Sequence, residues 1–108
     1  MNKLHAKKVE VDGFLFASKA EARHYSELKL AEKAGDIRDL ELQHKIKCVV
    51  NGFLVCTYIA DFVYHEKNGR LVVEDVKGYR GGSTYATFRV KAKLVEALYG
   101  IRIVEVSA

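Results

Sequence analysis

Leu71 to Gly78 read LVVEDVKG, a stretch in which valines suited to a pleated, half-buried surface alternate with charges that are rarely buried without partners. Side chains alternate along a strand, so Val73, Asp75 and Lys77 share one face while Glu74 and Val76 take the other. The partner of Asp75 is set by the preceding hairpin. Residues 53–64, FLVCTYIADFVY, hold a single acid, Asp61, among residues that favour burial. A two-residue turn at Asn68 and Gly69 would place Asp61 opposite Val76, with the two aspartates on opposite faces. A three-residue loop of Lys67, Asn68 and Gly69 places Asp61 opposite Asp75. Gly69 suits the left-handed residue that ends such a loop, so the second register is expected. Glu74 then faces away, with a salt bridge on the opposite face as its expected role.

Outward from this hairpin the chain punctuates itself. Asn51 and Gly52 predict a two-residue turn, with a strand through Leu40, Leu42 and Val50 before it and one from Phe53 after it. In that register Cys48 pairs with Val55, Cys56 lies on the other face, and no disulfide is expected. Two free thiols without CxxC spacing suit a reducing compartment and argue against thiolate zinc. Ser18 begins a helix with SKAE, a capping box joining Ser18 and Glu21, and Gly35 ends it after Ala34. Before it, Val9, Val11, Phe14 and Phe16 flank Asp12 and Gly13 as a small hairpin. After Lys77, YRGGST reads as a polar loop, and apolar residues at helical spacing predict a second helix over 87–99, stopped by Gly100. IRIVEV closes as a short strand. The predicted fold is a mixed α+β sheet, with an αβββαβ order behind an N-terminal β-hairpin, forming one domain over residues 1–108.

Composition narrows the class without naming a function. The chain has 108 residues, 49% hydrophobic and 30% charged, with a net charge of +4, which fits a globular protein that can bury its own core. No apolar run approaches the roughly 20 residues of a bilayer span. MNKLHAKKVEV lacks the apolar centre of a secretory signal, so a cytoplasmic location is expected. The positive charge permits a polyanionic partner but does not by itself require one. His5, His24, His44 and His65 have no metal-ligand spacing, although His24 neighbours the Glu21 face.

Chemistry concentrates on a few acids. Glu21 lies on the helix stripe that continues through Tyr25 and Leu28, so it faces the sheet as well as capping its helix. Asp61 and Asp75 in cross-strand register stand about 5 Å apart and repel each other. A hard divalent cation with oxygen ligands, magnesium or manganese, relieves that repulsion. Lys77 is then placed to hold an attacking water and to offset charge on a phosphorus. The plainer alternative is an exposed salt-bridge cluster contributing little. The apolar flanks of both strands favour burial instead.

A helical Glu21, Asp61 late in one strand and EDVK on the next, in an αβββαβ order, resemble the PD-(D/E)XK nuclease superfamily with its restriction-endonuclease-like core. SKAEARHYSELKLAEKAGDIRDLELQ, YIADFVY and VVEDVKG resemble a family of small phage-encoded proteins assigned to it, over residues 8 to 106. The resemblance implies a magnesium- or manganese-dependent DNA endonuclease leaving a 5′-phosphate and a 3′-hydroxyl, acting on branched DNA or on phage replication and recombination DNA. It assigns Asp61, Asp75 and Glu21 to the metal and Lys77 to catalysis, with Gln43 behind the metal waters. Ala60 stands where the superfamily pattern has proline. Arg80, in the loop with Tyr79, and Arg89, Lys91 and Lys93 on the second helix are the candidate DNA contacts, and a homodimer would suit junction substrates. The alternative is a non-catalytic DNA-binding or partner-docking module that keeps the fold.

Overall fold

Glycine turns set the pairing of every hairpin in the computed structural model, which describes residues 7–108. Val9–Val11 (β1) and Phe14–Phe16 (β2) join through Asp12 and Gly13, at φ 53° and 82°. Two successive positive φ values give the turn whose twist matches antiparallel strands. Ile37–Val50 (β3) and Phe53–Glu66 (β4) join the same way through Asn51 and Gly52, with Val50 opposite Phe53. Between β4 and Leu71–Lys77 (β5) the connection is the three-residue loop. The Glu66 N–H donates to the Arg70 carbonyl at 2.9 Å, Gly69 takes φ 88°, and Phe62 faces Glu74. Extended by one rung, that register would set Asp61 against Asp75, but the ladder ends at Phe62 and Glu74.

Helix α1 spans Lys19–Ala34. The Ser18 Oγ accepts the Glu21 N–H at 3.1 Å, and Gly35 closes the helix at φ 82°. Helix α2 spans Gly82–Tyr99 and ends at Gly100, so it starts well before residue 87. Its opening residues Gly82, Ser83 and Thr84 are exposed and show no apolar period, which is why that turn reads as a loop in sequence. Ile103–Ser107 (β6) runs parallel to β5, completing a sheet in the order β3-β4-β5-β6.

The sheet carries a core on each face. On one, α1 packs Ala22, Tyr25 and Leu28 on Phe62, Tyr64 and Val72; the β1–β2 hairpin adds Phe16 and is tied down by the Tyr25 hydroxyl donating to Asp12 at 2.8 Å. On the other, α2 packs Phe88, Ala92 and Val95 on Tyr58, Ala60, Val63, Val73 and Ile103. The cysteine register differs from the expected one. A bulge between Cys48 and Val49 sets Cys48 opposite Cys56, both as free thiols, because an extra residue shifts the pairing by one. Among the described residues no helix is long and apolar enough to cross a membrane. His5 and the first basic residues lie outside the described residues.

Candidate active site

Asp61 sits where the sheet exchanges its faces. On β4, Tyr58 and Ala60 join the α2 core, whereas Phe62 and Tyr64 join the α1 core. A regular strand would keep all four on one face. β3 makes the same exchange: Ile46 and Cys48 go with α2, and Leu42 and Leu40 with α1. His44 still faces Ala60 and Leu42 still faces Phe62, so both strands turn over at the single rung between them, Gln43 and Asp61. Gln43 takes φ 51° to do so. Its Nε2 donates to Asp61 Oδ1 at 3.4 Å.

The same rung opens β4 from β5. The last paired residues are Phe62 and Glu74, and beyond them the Asp61 Oδ2 accepts the Val76 N–H at 2.9 Å. A side-chain carboxylate thus stands in for a ladder carbonyl, in the gap where the strands part. Asp75 and Lys77 line that gap from the α2 side, and Glu21 approaches from α1. The capping box is half made: Ser18 accepts from Glu21, and among the described residues no side-chain bond holds the Glu21 carboxylate.

The electrostatics follow from crowding acids out of water. Burial first, then the Asp61 and Asp75 carboxylates, push Glu21 up to about 7. Burial pushes Asp75 up to about 6, opposed by Lys77 and reinforced by Glu105. Asp61 is raised by burial too, against the pull of the Val76 N–H and Lys77. Asp75 is 4% exposed, and its Oδ2 is buried with no hydrogen-bond partner. Lys77 leans toward α2, its Nζ lying 3.8 Å from the centre of the Phe88 ring, a cation–π contact in a partly desolvated place.

Three raised carboxylates, one with an orphaned oxygen, form an all-oxygen donor set of the kind a hard divalent cation takes. The residues therefore fit magnesium or manganese. Among the described residues, no three His, Cys, Asp or Glu side chains are already arranged to hold a metal ion.

Glu74 makes the expected salt bridge on the opposite face, to His24. It is 7% exposed, on the α1 face, and accepts from the Tyr64 hydroxyl at 2.6 Å while its other oxygen meets His24 Nε2 at 2.7 Å. The salt bridge is part of a buried network, because α1 covers that face. The hydrogen bond to Glu74 raises the His24 pKa. His24 also packs edge-on to Phe62, the residue after Asp61.

The basic residues divide. Arg80 and Arg89 both bind Glu105, at 3.0 and 3.1 Å, and the Tyr85 hydroxyl joins them at 2.8 Å. Lys91 faces the gap between β4 and α2. Lys93 is exposed and, two residues on, points away from it. The helix thus breaks up the single basic track the sequence suggests. Glu105, which faces Asp75 across the parallel β5–β6 pair, is the site residue that sequence reasoning missed. Its signal was present: an acid flanked by valines, Val104 and Val106, in a short strand.

No curated protein and no solved structure matches the chain. A family model described as "Protein of unknown function (DUF1064)" matches residues 1–105, and the chain belongs to that family.

Proposed function

We propose that the protein is a metal-dependent DNA endonuclease of the PD-(D/E)XK type, with Glu21, Asp61 and Asp75 as metal ligands and Lys77 as the catalytic base or charge stabiliser. One observation carries this reading: three carboxylates of raised pKa and a lysine surround the gap where β4 and β5 part, close enough to act on one another, and the buried Asp75 Oδ2 has no partner. Buried charges left uncompensated cost several kcal/mol. A fold that keeps them together needs a cation, and a use for it.

Bound magnesium or manganese supplies Lewis acidity that polarises a phosphoryl oxygen and lowers the pKa of a water. The chain's own residues do the rest. Asp61, fixed by the Val76 N–H and by Gln43, is the rigid ligand; Asp75 and Glu21 contribute oxygens that no other side chain claims. Lys77 directs its ammonium into the gap, where it can hold the attacking water and offset charge gathering on the phosphorus. Phe88 packs against that ammonium from the α2 side. The free thiols Cys48 and Cys56 accord with a reducing cytoplasm.

The test is cleavage of linear, nicked, flapped and four-way DNA with and without magnesium. Magnesium-dependent cleavage that disappears in Asp75→Ala supports the reading. Absence of cleavage on every substrate, or cleavage unaffected by that change, overturns it.

A further inference from the structure

Beyond the carboxylates, the gap continues as a groove of about 440 Å³ between the free edge of β4 at Thr57–Ile59 and the first turns of α2. Ser83, Thr84 and Thr87 turn into it beside Lys91, and Asp75 and Lys77 lie at its inner end. Asp75, 4% exposed and with its Oδ2 unpartnered, links this groove to the candidate active site. α2, with Gly81 as its N-cap, has no side-chain cap and no acid in its first turn, so its free N–H groups and positive dipole end remain available. Arg80 and Arg89 are held by Glu105, which leaves Lys77 and Lys91 as the cations of the groove.

Tyr79 stands beside this helix start, 82% exposed. A Cβ on Gly81 would collide with the Tyr79 ring, whose Cε1 would lie 3.1 Å away. Glycine therefore lets the ring rest on the backbone with its other side open. A large exposed aromatic next to a cationic groove offers a stacking platform. Bases inside a continuous duplex are already stacked on both faces and have none to offer it.

We propose that the groove takes one DNA strand bearing an unpaired base. Lys91 and the α2 hydroxyls hold a phosphate next to the one at the carboxylates, and Tyr79 stacks the base. This rests on the nuclease reading for its orientation and names the substrate class: single strands, flaps and junctions rather than blunt duplex.

The experiment reads binding, not cleavage. The chain contains no tryptophan, so Tyr79→Trp places a lone indole at the platform. Full-length protein is titrated in EDTA with an oligothymidylate and with a blunt duplex of equal length. Quenching by the single strand at a concentration where the duplex has no effect is expected. Lys91→Met, which keeps the aliphatic stem, should weaken single-strand binding several-fold and lower the slope of log K against log salt by about 0.7. Equal quenching by both DNAs, or an unchanged salt slope in Lys91→Met, overturns the proposal. Single-strand-selective quenching at position 79 without cleavage would remove the nuclease reading alone; magnesium-dependent cleavage without that quenching and without Lys91-dependent binding would remove this one alone.

Discussion

Asp75→Asn should make the metal-free protein more stable relative to the native chain as pH rises. Asp75 is 4% exposed with an unpartnered oxygen, and burial lifts its pKa from 3.8 to about 6. Because the folded state keeps this proton longer than the unfolded chain, folding loses stability as pH climbs through that window. The loss is near zero below the unfolded pKa, about 1 kcal/mol at pH 4.5 and about 3 kcal/mol above pH 7, at 1.36 kcal/mol per unit. Asparagine does not titrate. In EDTA, the stability of Asp75→Asn minus that of the native chain should therefore increase by about 2 kcal/mol from pH 4.5 to 8. Urea unfolding followed by far-ultraviolet circular dichroism at the two pH values measures it. Any fixed cost of placing an amide at the orphaned position cancels in the difference. Magnesium at ten times its dissociation constant should add about 1.4 kcal/mol to the native chain at pH 8 and nothing to the variant. A stability difference that stays flat between the two pH values would refute the reasoning, since the fold would then already compensate the ionised carboxylate.

Three other changes test separate parts of the site. Tyr64→Phe removes a donor from buried Glu74 and should cost about 1.5 to 3 kcal/mol in urea unfolding, the worth of a hydrogen bond to a charged group. Lys77→Met keeps the stem against Phe88 but loses the ammonium, so cleavage should fall at least about 100-fold while the thermal midpoint stays within a few degrees. Gly69→Ala puts a side chain at φ 88° and should cost about 1 to 2 kcal/mol of stability, checked by chemical denaturation; an unchanged midpoint would mean the loop does not hold the register.

Much of the fold was legible because its punctuation is local. Asp12-Gly13, Asn51-Gly52, Gly35 and Gly100 each meet a left-handed backbone requirement visible in a few residues. Gly69 carried more, since one extra loop residue decides which acids meet. The start of α2 was illegible because Gly82, Ser83 and Thr84 are exposed and carry no apolar period. The bulge at Cys48 and Val49 was illegible because an extra residue in an apolar hairpin leaves no mark in composition. Glu105, and the partners of the Glu74 salt bridge, were missed for a different reason. Their partners come from a parallel strand and two helices, so charges that look idle in sequence are satisfied only by tertiary packing.

The Gln43–Asp61 rung gives the site a physical cause that strand alternation alone does not supply. In a regular sheet a carboxylate at position 61 would project into one of the two cores, where its desolvation cost would be met by nothing. Turning both strands over at one rung leaves the register intact, so neither core loses its pairing, and it frees the residue at the turnover from either face. The Asp61 carboxylate then takes the ladder position of a missing carbonyl and holds β5 by the Val76 N–H. That bond explains how the strands can part beyond Glu74 without leaving the β5 backbone unsatisfied. It also explains how Glu21 on one helix and Asp75 and Lys77 on the opposite face reach the same gap: the sheet is open there, and the residue that opens it is itself one of the acids.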